Sequence, residues 1–164
     1  MTKLLTSLIL ASATVAAADP TDAKLAQYVG RWEGSGTFTL EGKPVTYKIT
    51  YTCTRATVGP AISCSMAAAG KDLHYEEQHL IGFDKATQTY HLFSVNDWGE
   101  AYDHAAKWTD AGKVDFQYDG TANGKAMHEV YSYAFKGNDV AVHAKFSADN
   151  HTIGEGDYTM KRVP

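Results

Sequence analysis

Gly30-Arg31-Trp32-Glu33-Gly34-Ser35-Gly36 stands near the start of a long run of alternating segments, and Lys161-Arg162 stands almost at its end. A Gly-x-Trp on a first strand and a late Arg on a last strand are what a closed antiparallel barrel needs at its closed end. The indole plugs the floor and a guanidinium lies across its face, worth ~1–2 kcal/mol when partly desolvated. Trp32 and Arg162 are therefore read as a structural pair. Gly34-Ser35-Gly36 supplies small residues where the first strand bends to close the barrel.

Between these ends the hydrophobic period is two. It is clearest at Tyr47/Ile49/Tyr51/Cys53, Val114/Phe116/Tyr118, Tyr131/Tyr133/Phe135 and Val140/Val142/Ala144/Phe146. About ten strands are predicted, near 31–40, 44–55, 61–69, 72–83, 88–96, 101–109, 112–119, 125–136, 139–147 and 152–162. Turn residues separate them, among them Glu41-Gly42, Val58-Gly59-Pro60, Asp97-Trp98-Gly99, Asp119-Gly120 through Asn123-Gly124, and Asp149-Asn150. None of the four prolines falls in the interior of a proposed strand; Pro44 stands at the turn end of the segment 44–55. Short connections make sequence neighbours pair in space, so the expected fold is all-β: a single antiparallel up-and-down barrel of eight to ten strands, whose closure removes its own edges. The alternate positions carry Lys, Glu, Gln, Thr and His, so the outer wall faces water rather than lipid.

Residues 1–18 read as a signal peptide: Lys3, an apolar run from Leu4 to Val15, then Ala16-Ala17-Ala18 before Asp19. Removing these 18 residues from the 164 leaves 146, the size of one domain, so 19–164 is assigned to the barrel. Residues 19–28 are expected to form a short helical arm, with Thr21 or Asp22 as a cap and Leu25 packing over an open end. The formal charge of −4 becomes −5 once Lys3 is gone. That mild acidity, without a basic stripe, argues against nucleic acid and anionic membrane surfaces as partners, and no apolar run is long enough for stable membrane insertion.

Cys53 and Cys64, in a chain expected to be periplasmic or secreted, favour a disulfide. With Val58-Gly59 as the hairpin midpoint, paired positions sum to 117, so that Cys53 faces Cys64, Tyr51 faces Met66 and Ile49 faces Ala68. One register thus serves both the bridge and the apolar face. Closing so short a loop adds roughly 2–3 kcal/mol by loop-closure entropy.

Gly30-Arg31-Trp32-x-Gly34-x-Gly36 with Arg162 resembles the calycin superfamily. The middle block Glu77-x4-Gly82-Phe83-Asp84-x5-Tyr90 is similar to exported bacterial lipocalin-like proteins of unknown function. The resemblance spans the domain after the leader. It implies a lipocalin-like barrel with a cavity for a small apolar or amphipathic ligand, and no particular activity. Haem-binding calycins of the nitrobindin type place a proximal His shortly before the terminal Arg. Here Gly154 to Arg162 contains none and His151 lies earlier, which disfavours haem, so no cofactor is expected.

Seven histidines are present, but neither His-x-His nor His-Glu-x-x-His occurs, and His74 and His79 differ by an odd number and so face opposite sides of a strand. No metal site is predicted. Gly-x-Ser-x-Gly, phosphate-cradling and dinucleotide-binding motifs are also missing, so no catalytic residue is assigned. Glu77 and His79 are the residues to watch, because they share strand parity with Tyr75, Ile81 and Phe83. Either they point into the lumen, with Tyr102, His104 or Glu129 as polar partners, or a bulge reverses the register and both are solvated. In the first case Glu77, His79, Tyr102, His104 and Glu129 form a candidate anchor for a ligand headgroup. Three functions remain open: a ligand-binding module, an isomerase, cyclase or hydrolase using Glu77 and His79, and an interaction or inhibitor protein acting through Asp97-Trp98-Gly99. Ligand identity and oligomeric state are open as well.

Overall fold

The first strand meets the last. In the computed structural model, which describes residues 20–71, 73–122 and 124–164, a helix α1 (Pro20–Ala26) precedes ten strands. These are β1 (Gly30–Leu40), β2 (Lys43–Arg55), β3 (Ile62–Gly70), β4 (Leu73–Asp84), β5 (Thr89–Asn96), β6 (Ala101–Trp108), β7 (Lys113–Ala122), β8 (Lys125–Lys136), β9 (Asp139–Ala148) and β10 (His151–Val163). Each pairs antiparallel with its sequence neighbours, and β1 pairs with β10, closing one barrel. The expected meander is therefore the fold, with ten strands. The signal peptide assigned to residues 1–18 lies outside the described residues.

Closure depends on small residues at the seam. Gly34 lies opposite Met160 and Gly36 opposite Tyr158 on β10, while Gly156 lies opposite Phe38 on β1. A Cβ at Gly34 would stand 1.9 Å from the Thr159 carbonyl oxygen, and one at Gly36 would stand 2.4 Å from that of Asp157. Backbone atoms cannot yield as a side-chain tip can. The two strands approach this closely only because one side of each pair is bare, which lets Tyr158, Met160 and Phe38 fold inward.

The Trp32 end is closed. The Arg162 guanidinium lies 4.5 Å from the Trp32 ring centroid, and its Nη2 donates to the Gln27 carbonyl at 2.8 Å. Trp32 Nε1 donates to the Tyr28 carbonyl at 2.8 Å. Phe135 packs edge-on against the indole, Tyr28 packs edge-on against Phe135 and Trp108, and Leu25 of the helix is fully buried. α1 is thus stapled over the end that Trp32 already plugs, not over an open one. Asp22 pairs with Arg55 instead of capping the helix, and Gln27 donates to the Ala111 carbonyl, which fixes the arm to the rims of β2 and β6. The opposite end, where the β1–β2, β3–β4, β5–β6, β7–β8 and β9–β10 connections lie, carries no such cover among the described residues and is the mouth.

The Cys53–Cys64 disulfide forms in the expected register, with Tyr51 opposite Met66 and Ile49 opposite Ala68. Strand ends fall within one residue of expectation except at the end of β7, and two positions near turns need a physical reason. Pro44 is the second residue of β2, opposite Thr39, tolerated because β3 covers β2 only from Tyr47 onward and leaves this end edge-like. β7 runs through Gly120 to Ala122 instead of turning there. The bare Gly120 leaves room for the Tyr118 ring, whose hydroxyl would lie 2.0 Å from a Cβ at that position, so the strand continues to pair with β8. At the β1–β2 and β9–β10 hairpins, Glu41-Gly42 and Asp149-Asn150 take the paired positive φ of a type I′ turn.

Two exchanges test the closure. Trp32→Ala is expected to lower unfolding free energy by about 3–5 kcal/mol in urea denaturation, as for other buried aromatics. Gly34→Ala, which only adds a methyl group, is expected to cost about 1–3 kcal/mol because the seam must part to admit it; an unchanged midpoint would show that the seam is loose.

Candidate functional site

β4 pairs with β3 and with β5 without a register shift, so the alternation of Leu73–Asp84 carries straight through. Tyr75, Glu77, His79, Ile81 and Phe83 therefore share the inner face, and the solvated alternative for Glu77 and His79 does not occur. Their exposures are 4 % and 7 %. One further His and one further Glu lie inside, His104 on β6 at 1 % and Glu129 on β8 at 6 %.

These four residues form two separate pairs. His79 Nε2 lies 2.8 Å from Glu77 Oε2, and its Nδ1 lies 2.8 Å from the Tyr51 hydroxyl. His104 Nε2 lies 3.2 Å from Glu129 Oε2, and its Nδ1, also buried, has no partner. With hydrogen on Nε2, each imidazole donates to its carboxylate. The Tyr51 hydroxyl then donates to His79 Nδ1, while His104 Nδ1 keeps an unused lone pair.

The partners expected for Glu77 and His79 were Tyr102, His104 or Glu129. His104 and Glu129 pair with each other instead, and Tyr102, half-buried at the mouth, packs 6.0 Å from His104 and 5.0 Å from Tyr118 between ring centroids. β5 intervenes between β4 and β6, with Ser94 opposite His79 and Leu92 opposite His104, and this separates the two pairs. Tyr51, read from sequence only as a core position, is the missed member. It reaches His79 across β3, where the intervening position opposite His79 is the compact half-cystine Cys64.

Ile49, Tyr51, Met66, Glu77, His79, Leu92, His104, Tyr131, Tyr133, Tyr158 and Met160 surround one interior cavity of about 10 Å³. That is room for about one water molecule. Towards the mouth, Tyr75, Tyr102, Tyr118 and Phe146 are half-exposed. Burial acts to raise the Glu77 carboxyl, but its pairing with His79 and its hydrogen bonds with Ser94 and Tyr75 together outweigh that and hold Glu77 below the usual carboxylate value. Burial raises the hydroxyls of Tyr51, Tyr131 and Tyr158 well above their usual value, so these tyrosines stay neutral.

The other histidines lie outside. His91 pairs with Asp103, His128 with Asp119 and His143 with Asp157 on the outer wall, while His74 and His151 are exposed. Such solvated pairs contribute little. Among the described residues, no group of three or more His, Cys, Asp or Glu is placed to hold a metal ion, and no helix is long and apolar enough to cross a membrane.

No protein-family model and no curated protein matches the chain. Among solved structures it is similar to Rv2717c from M. tuberculosis, with a TM-score of 0.68 and 13 % sequence identity over 89 % of this chain and 99 % of that one. At that identity the likeness is one of fold alone.

His79→Ala is expected to cost about 3–5 kcal/mol at neutral pH, because it leaves the Glu77 carboxylate buried and unpaired. The sign with pH follows from the depressed Glu77 value. Its contribution in the wild type is present above the unfolded carboxylate value and lost as pH falls through the lower folded one. In the variant, burial acts on Glu77 against only the smaller effects of its hydrogen bonds with Ser94 and Tyr75, so its value rises and protonation relieves the penalty. The stability gap should therefore narrow as pH drops through the carboxylate range; a pH-independent gap in chemical denaturation would exclude the carboxylate as its source.

Proposed function

We propose that this protein is an exported calycin-type barrel that binds one small apolar or amphipathic molecule at the mouth of its lumen, with a headgroup anchored by the interior Glu–His pairs. The observation that carries this reading is the presence of two buried carboxylate–imidazole pairs where the fold requires none. A buried ion pair is often no more stabilising than hydrophobic residues of the same volume. The closed end shows how fully this barrel packs with aromatic and aliphatic groups. Polar groups kept in such an interior, one with a free acceptor, are better explained by something they meet than by packing. The disulfide agrees with an oxidising compartment. Because the cavity holds only a water-sized group, the body of the ligand lies among the mouth rings.

Catalysis by Glu77 and His79 is less well supported than binding. Both nitrogens of His79 are already engaged, by Tyr51 and by Glu77, so none is free to take a proton from a substrate. A loop-mediated interaction has one observation in its favour: Trp98, 60 % exposed at the β5–β6 turn, adjoins the exposed Phe93 and Val95.

Native mass spectrometry of protein purified from its own host is expected to show a retained small molecule. The double exchange His104→Phe/Glu129→Leu replaces the pair by apolar groups and is expected to leave stability unchanged or raise it by about 1–4 kcal/mol, while the retained molecule is lost. A severe loss of stability, with the molecule still bound, would make the pair structural and overturn the reading.

A further inference from the structure

The geometry points to a primary ammonium as the headgroup that this lumen accepts, which makes the ligand a small amine with an apolar body. This inference rests on the binding reading above and adds the charge and size of the group bound. Four observations carry it.

The first is size. A cavity of about 10 Å³ takes one water-sized group. An –NH₃⁺ has that size; a carboxylate, a phosphate or a trimethylammonium is larger. The second is charge. Two carboxylates, Glu77 and Glu129, are buried in the interior, and none of the residues around the cavity is a Lys or an Arg. An anionic headgroup would meet like charge in a poorly solvated place, and a cation would meet complementary charge.

The third is hydrogen-bonding capacity. An ammonium offers three donors and no acceptor. His104 lines the cavity with a buried Nδ1 that has no partner, while its Nε2 is held on Glu129. In that tautomer the vacant nitrogen is an acceptor, matched by a donor headgroup and not by a carboxylate. The fourth is the wall. Tyr51, Tyr131, Tyr133 and Tyr158 surround the same cavity. Their raised hydroxyl pKa values keep them uncharged, so they contribute π faces and hydroxyl oxygens rather than phenolates.

The other end of the barrel shows the same chemistry completed from within the chain. There the Arg162 guanidinium covers Trp32 at 4.5 Å, and the Lys24 ammonium lies 5.8 Å from the ring centroids of both Tyr90 and Trp108. At the closed end the aromatic faces carry cations supplied by the protein. Around the cavity, aromatic faces and the Glu77 carboxylate converge, and no Lys or Arg is among the residues that line it.

Three isosteric probes separate the possibilities: benzylamine, benzyl alcohol and benzoate, titrated calorimetrically into the folded wild-type protein at neutral pH. Benzylamine, protonated under these conditions, is expected to bind roughly ten-fold or more tightly than benzyl alcohol, with benzoate undetectable. The preference should persist at high salt, where attraction to the exposed acidic surface is screened. Binding should also shift the His104 ring resonances, a readout that needs no variant. Equal binding of amine and alcohol, or tighter binding of benzoate, would overturn the ammonium assignment while leaving a ligand-binding lumen in place. A preference for benzylamine that vanishes at high salt, or that leaves the His104 resonances unmoved, would place the amine on the surface and also overturn it. Failure of all three probes to bind would reject the amine; the retained-molecule experiment would then decide the broader reading by itself.

Discussion

A ten-stranded meander is a stable object only if its first and last strands find each other, and here that contact is a stack of guanidinium on indole beside a row of glycines. The stack is specific in direction. Arg162 covers Trp32 and binds the Gln27 carbonyl, while Trp32 binds the Tyr28 carbonyl, so closure of the sheet and docking of α1 are one hydrogen-bonded event. The glycines do the steric half of the work. An alanine at Gly34 or Gly36 would push against the backbone of β10, so the strands could not approach closely enough for the inner side chains to interleave. Contact between residues about 130 positions apart in the sequence carries a large loop-closure cost before it contributes anything. The Cys53–Cys64 bridge removes part of that entropy locally, in the hairpin beside the seam.

The parts of this fold that could be read from sequence are those governed by a period of two and by turn chemistry. The Cys53/Cys64 register followed from one hairpin centre because two apolar pairs and the bridge all required it. The pairing of Trp32 with Arg162 was legible because both ends of a closed sheet are constrained at once. The orientation of Glu77 and His79 was not legible. Parity placed them with Tyr75 and Ile81, but a single bulge anywhere along β4 would have reversed every side chain, and the sequence alone does not exclude one. Nor could sequence supply the link from Tyr51 to His79. That contact skips a strand and depends on Cys64 being small enough to reach across, a property of packing rather than of pattern. Gly120 misled for a related reason, since a strand opened by a neighbouring ring tolerates a residue that a fully packed strand would reject.

The two ends of the lumen differ in the way that a binding device requires. The Trp32 end is filled by interlocking rings and sealed by α1, and Arg162 and Lys24 there lie on aromatic faces. At the mouth end, Tyr75, Tyr102, Tyr118 and Phe146 are only half-buried. The lost rotamer freedom and the packing contacts are smaller there, so ring rotation costs less at the mouth than at the floor. On the proposed binding reading, a cavity reduced to one water's volume is then no obstacle: it would set the size of the group that reaches the bottom, and the mouth rings would part around the remainder.

The separation of the two polar pairs also has a consequence for what the lumen can select. Had Glu77, His79, His104 and Glu129 formed one closed network, every donor and acceptor would be spent internally and the interior would be inert. β5 prevents this by placing Ser94 and Leu92 between them, so the Glu77 pair is completed by Tyr51 whereas the His104 pair ends on a vacant nitrogen. One pair is therefore self-sufficient and serves as fixed negative charge held by its own hydrogen bonds. The other is unfinished and supplies the direction in which a donor must approach. Charge without direction would attract any cation, and direction without charge would admit any alcohol. If the proposed ammonium binding holds, an interior with both would discriminate on the two properties together, and it would do so because β5 keeps the pairs apart.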